Sequence, residues 1–106
     1  VANTFKNYLA SAVGTSAVTV YTVPSATTAV TIGMNIANIA TSQVNVSAYV
    51  TSGGTDYYIV KDAPIPAGAA LSVLDGKIIF EAADVVKVVS SAASSADVIL
   101  SVLEQS

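Results

Sequence analysis

β-branched residues recur at alternate positions along most of this chain, and turn signals interrupt them at short intervals. That period of two confines the chain to β-strands with one face packed and one open. Residues 43–51 show it most clearly. Val44, Val46, Ala48 and Val50 share one face; Asn45, Ser47, Tyr49 and Thr51 share the other. Ser52-Gly53-Gly54-Thr55 then reads as a hairpin turn, because glycine reaches positive φ without a Cβ clash. Residues 56–61 return as the partner strand, with Tyr58 and Val60 opposed to Tyr57 and Ile59.

The same reading extends to both ends. Residues 5–12 form a first strand, with Phe5, Asn7 and Leu9 facing away from Lys6, Tyr8 and Ala10. Helix is the competing state there, since Lys, Leu and Ala tolerate it. Residues 17–23 follow and stop at Pro24, which cannot donate to a ladder. In residues 29–39, Val30, Ile32, Met34, Ile36 and Asn38 are expected on one face, with Thr31, Gly33, Asn35 and Ala37 opposite. Residues 62–68, with Pro64 and Pro66, read as an extended connector. Asp75-Gly76 between residues 71–74 and 77–80 predicts a hairpin. Residues 85–90 and 97–104 complete the set, separated by a Ser/Ala loop at 91–96, with Val98, Leu100 and Val102 inward.

Roughly eight or nine short strands are too many for one sheet on so short a chain. The expected fold is all-β: a single domain over residues 1–106, a two-sheet antiparallel β-sandwich with jelly-roll or Ig-like topology.

Composition narrows the function. The chain has no His, Cys, Trp or Arg, and its cations are Lys6, Lys61, Lys77 and Lys87. Most enzyme mechanisms draw a base, a nucleophile or an anion clamp from the missing types. A net charge of −3 without a basic cluster argues against nucleic acid. No run of apolar residues is long enough for a membrane helix, and no signal peptide is expected. Yet the mean hydropathy of +0.67 is high for so small a protein. A lone domain cannot hide that much apolar area, so part of it is expected to pack against other subunits or a larger partner.

No pair of carboxylates is selected by spacing for glycosidase chemistry, and no calcium-loop run of acidic residues occurs. Without His, a catalytic serine needs a lysine partner; Ser72 and Lys77 flank a turn and read as polar surface. Asn45-Val46-Ser47 matches a glycosylation sequon but falls mid-strand. Neither catalytic residue, metal nor cofactor is assigned. The candidates are interface residues. Gly33 and Ala37 permit close approach of another backbone. Tyr57 and Tyr58 are amphipathic and suit a protein or carbohydrate surface.

The chain also resembles a known class of proteins. The stretches that carry the resemblance are Val18-Thr19-Val20-Tyr21-Thr22-Val23-Pro24 and Tyr58-Ile59-Val60-Lys61-Asp62-Ala63-Pro64-Ile65-Pro66-Ala67-Gly68. Thr31-Ile32-Gly33, Leu71-Ser72-Val73, Lys77-Ile78-Ile79-Phe80-Glu81-Ala82-Ala83-Asp84-Val85-Val86-Lys87-Val88 and Val98-Ile99-Leu100-Ser101-Val102-Leu103-Glu104 complete them. Together they resemble small virion structural proteins of tailed bacteriophages, particularly those of marine bacteria and cyanobacteria. Ala83 stands where many such proteins carry glycine, so the turn there is expected to differ. The resemblance implies a non-enzymatic virion component, first a capsid decoration or cement protein and second a tail, neck or fibre part. A carbohydrate-binding module is the alternative from another class. The implied partner is the major capsid protein or another virion protein, with self-association favouring a trimer. Val1, Ala2, Asn3, Thr4, Phe5 and Lys6 are expected to form an extended docking arm that adds a strand to a neighbour's edge.

Overall fold

The computed structural model describes residues 3–74 and 76–106. Those residues form nine strands: β1 (Asn3–Val13), β2 (Val18–Thr22), β3 (Thr28–Asn38), β4 (Val44–Ser52), β5 (Thr55–Ile65), β6 (Ala70–Ser72), β7 (Ile79–Phe80), β8 (Val85–Ser90) and β9 (Ala96–Gln105). Two antiparallel sheets result, ordered β1-β9-β3-β6 and β2-β8-β4-β5, with β7 also paired to β3. Residues 5–12 are thus strand, as their alternation predicts over helix.

The turn of the expected Asp75-Gly76 hairpin falls partly outside the described residues, since Asp75 is not among them. Among the described residues, the flanking runs do not pair with each other. Ala70, Leu71 and Ser72 lie opposite Ala37, Ile36 and Asn35, while Ile79 and Phe80 lie opposite Val30 and Ala29. Between them the Val73 N–H donates to the Met34 carbonyl, and the Thr31 N–H donates to the Ile78 carbonyl. β6 and β7 are therefore two pieces of one edge strand along β3. The free edge of β3 satisfies both runs and lets Val73 and Phe80 enter the core, which a local hairpin would not.

Counted so, the strands pair as nested sets: β1 with β9, β2 with β8, β3 with β6 and β7, β4 with β5. That is the connectivity of a jelly roll, and it settles the topology left open by the sequence. At the tight hairpin between β4 and β5, Gly53 and Gly54 both take positive φ, 60° and 83°, as a type I′ turn requires. The connector expected at 62–68 is strand as far as Ile65.

Inward side chains from both sheets meet in one core, where Met34, Ile36, Val46, Ile65, Phe80, Val86, Val88, Val98, Leu100 and Val102 are buried. Each such burial contributes on the order of 1.5–3 kcal/mol. Two β-bulges decide which residues take part. In β2 the register shifts between Thr19 and Tyr21, so the neighbours Val20 and Tyr21 are both buried. In β3 Thr31 pairs with Val102 and Gly33 with Ser101, leaving Ile32 as the extra residue. The bulge reverses the faces of β3 on its N-terminal side. Ala29 and Thr31 point inward with Met34, Ile36 and Asn38, and Ile32 is 54% exposed. The single apolar face expected for Val30, Ile32, Met34 and Ile36 is thereby corrected.

Buried Asn38 fixes the loop after β3. Its amide nitrogen donates to the carbonyls of Ser42 and Ile65, and its oxygen accepts from the Ala40 N–H. The bond to Ile65 is buried, where a polar group without a partner is costly.

Candidate interaction surface

The open face of the β1-β9-β3-β6 sheet concentrates the exposed apolar side chains. Cross-strand register aligns Phe5 with Leu103, Leu103 with Val30, and Val30 with Ile79. This row crosses four strands, and Phe5 and Ile79 are 75% and 62% exposed. The β3 bulge pushes Ile32 out beside it. A second apolar pair, Leu9 and Ile99, sits opposite one another on β1 and β9. Between the two lies the row Asn7, Ser101 and Gly33. Its small side chains leave a shallow depression bordered by Phe5 and Ile32.

Gly33 lies on this face, and a Cβ placed there would meet nothing within 4 Å. No part of the chain itself packs against it. Ala37 sits on the same strand next to Ala70 and Asp97. Val1 and Ala2 of the expected docking arm lie outside the described residues. Asn3, Thr4, Phe5 and Lys6 do not form a free arm. They open β1 and pair with Gln105, Glu104, Leu103 and Val102, because β9 runs the full length of β1 and offers a ladder within the chain.

Tyr57 and Tyr58 belong to the other sheet, on β5, away from this face. As neighbours in a strand they point to opposite sides, so they do not make one stacking platform. Tyr58 packs on Tyr49 with ring centroids 5.0 Å apart, and the Lys61 ammonium lies 5.2 Å from the Tyr58 ring.

The titratable cluster of the molecule joins the two sheets. Tyr8 on β1 and Tyr21 on β2 stack at 4.1 Å. Both hydroxyls donate to Glu104 Oε2, at 2.5 and 2.6 Å. The hydrogen bonds from Tyr21 and Tyr8 hold the Glu104 carboxyl below its usual range, with Lys6 adding to the effect. Burial, and then the bond to Glu104, push the Tyr8 hydroxyl up to about 12 and raise Tyr21 as well. The cluster is thus an ionised carboxylate clasped by two neutral phenols, a cross-link between layers. Among the described residues no group of three or more His, Cys, Asp or Glu side chains converges as metal ligands would.

Sequence reasoning placed Phe5 and Gly33 among the interface candidates and passed over Leu9, Ile32, Ile79, Ile99 and Leu103. Alternation alone could have joined Leu9 to Phe5. Ile32 was hidden by its bulge, and Ile79 by the hairpin expected around Asp75.

No family model matches the chain, and no curated protein matches it. Among solved structures it is similar to a protein of Bacillus endospore appendages, described as forming a novel family of disulfide-linked pili. The TM-score is 0.58 at 13% identity, over 98% of this chain and 88% of that one. At that identity the likeness is one of fold, and it agrees with an all-β two-sheet sandwich.

Proposed function

We propose that this chain is a non-enzymatic structural subunit of a virion, a decoration protein that binds the outside of a capsid shell through the open face of its β1-β9-β3-β6 sheet. The observation that carries the reading is the apolar row Phe5–Leu103–Val30–Ile79, which crosses four strands with both ends exposed and its middle half-buried. Contiguous exposed apolar surface of this kind marks an interaction site. The resemblance to phage virion proteins names the partner, and a rigid jelly roll suits a part that adds stability by binding the assembled state.

The test is co-sedimentation with empty shells of a tailed phage that carries the chain. Saturable binding of hundreds of copies, lost on Ile79→Lys, supports the reading. A few copies per particle would move the protein to a tail, neck or fibre, and undiminished binding of the variant would remove the docking face.

The fold likeness to a pilus protein supports a second reading, a subunit of an extracellular polymer. Residues 1–106 carry no Cys, so no disulfide link of such a polymer would start from them. Filaments from the purified chain under the electron microscope would favour it.

A further inference from the structure

We infer that β1 is a strand-addition site for a second copy of this chain, pairing antiparallel with its counterpart about a two-fold axis at Asn7. The inference goes beyond capsid binding and stands whether or not a shell is the partner.

The sandwich has four sheet edges, and three are blocked. β5 carries Lys61, Pro64, two register shifts and a left-handed Asp62 with φ of 51°. β2 is five residues long and bulged. The opposite edge of the β1 sheet is broken between β6 and β7. Bulges, prolines and charges are how proteins keep edges from pairing. β1 differs: residues 3–10 run against β9 with no register break, and Lys6 is their one charge. Residues 3–7 are exposed throughout, so this stretch of the edge is open to a neighbour.

The strand is also complementary to itself. A two-fold axis at Asn7 sets Phe5 opposite Leu9 of the other copy on the open face. Both belong to apolar rows, so the Phe5–Leu103 row runs on into the other copy's Leu9–Ile99 pair. On the inner face the same axis sets Lys6 opposite the other copy's Tyr8, whose hydroxyl donates to Glu104. Each ammonium then lies beside a carboxylate-bound phenol, and cations and carboxylates alternate across the junction. Antiparallel self-pairing uses one patch on both copies and closes at two, so a dimer with one continuous eight-strand sheet replaces the trimer expected from the sequence. β6 and β7 count as one strand in that sheet.

Two measurements test this. Light scattering over a dilution series reads the mass, expected at twice the 10.6 kDa of the chain and falling toward one copy on dilution. Lys6→Glu should weaken the dimer roughly tenfold, more at low salt. The second is Asn7→Cys, in a chain with no other thiol. The axis brings the paired Cα atoms to about 4.5–5.5 Å, within disulfide reach. Ser11→Cys is the control, because its copies would lie about 27 Å apart at ~3.4 Å per residue. Both variants are exposed, and an unchanged thermal melt confirms their folding. Cross-linking at least tenfold faster for Asn7→Cys, with a dimeric mass, supports the inference. A monomer at all concentrations, a trimer, or equal rates at the two positions overturns it.

Discussion

At the scale of single residues, the carboxylate of Glu104 does the most. It accepts both tyrosine hydroxyls that bridge the layers, and a charged acceptor roughly doubles the strength of such bonds. Glu104→Gln is expected to cost about 1–2 kcal/mol at pH 7, read by chemical denaturation. The folded-state carboxyl titrates below the unfolded one, so its contribution is complete above about pH 4.3 and is lost as pH falls through the folded value. Wild type and variant should therefore converge in acid. Tyr8 behaves in the opposite sense. Its hydroxyl is raised to about 12, so its contribution holds below about pH 10 and is lost as pH rises toward 12. A second position carries backbone strain. Ala83, in the turn before β8, takes φ of 73°, a left-handed conformation that glycine adopts without a Cβ clash. Relief of that strain should make Ala83→Gly more stable by about 0.5–1 kcal/mol. An unchanged or lower denaturation midpoint would refute it.

Elements are shaped by where an extra residue enters. Removing Ile32 leaves Thr31 opposite Val102 and Gly33 opposite Ser101, with strict alternation restored from Ala29 to Asn38. The deletion variant is expected to fold with the same core, within roughly 2 kcal/mol of the parent. A cooperative thermal transition checks this, and a molten or unfolded chain would show that the bulge is needed for closure. Most strands were legible in the sequence because alternation and turn chemistry agree there, as at Val44–Ser52 and its Gly53-Gly54 turn. The Asp75-Gly76 region was not. A local hairpin signal competed with a long-range partner, the free edge of β3, and only the assembled sheet reveals that the edge is open.

For the whole molecule, the central feature is the division of apolar residues between a filled core and an open sheet face. Ile79→Lys touches the face alone. Its stability should stay within about 0.5 kcal/mol of the parent while association with a shell is lost. Denaturation and co-sedimentation on one preparation separate these effects, and a large drop in stability would mean the row supports the fold instead. The excess of apolar residues over what a small core can hold is a property of composition, and the sequence alone carries it. Which residues make up that excess was not. Phe5, Leu103, Val30 and Ile79 lie far apart in the chain and become a row only through cross-strand register.

Sequence by itself determined that this chain forms antiparallel strands, that two of them turn at Gly53-Gly54, and that some apolar surface is left over, because these depend on period, glycine placement and composition. The tertiary structure alone decided the jelly-roll order, the joining of β6 and β7 into one edge, the outward turn of Ile32 and the meeting of Tyr8, Tyr21 and Glu104. Each of these depends on which strand lies beside which, a choice made by long-range pairing that no local pattern encodes.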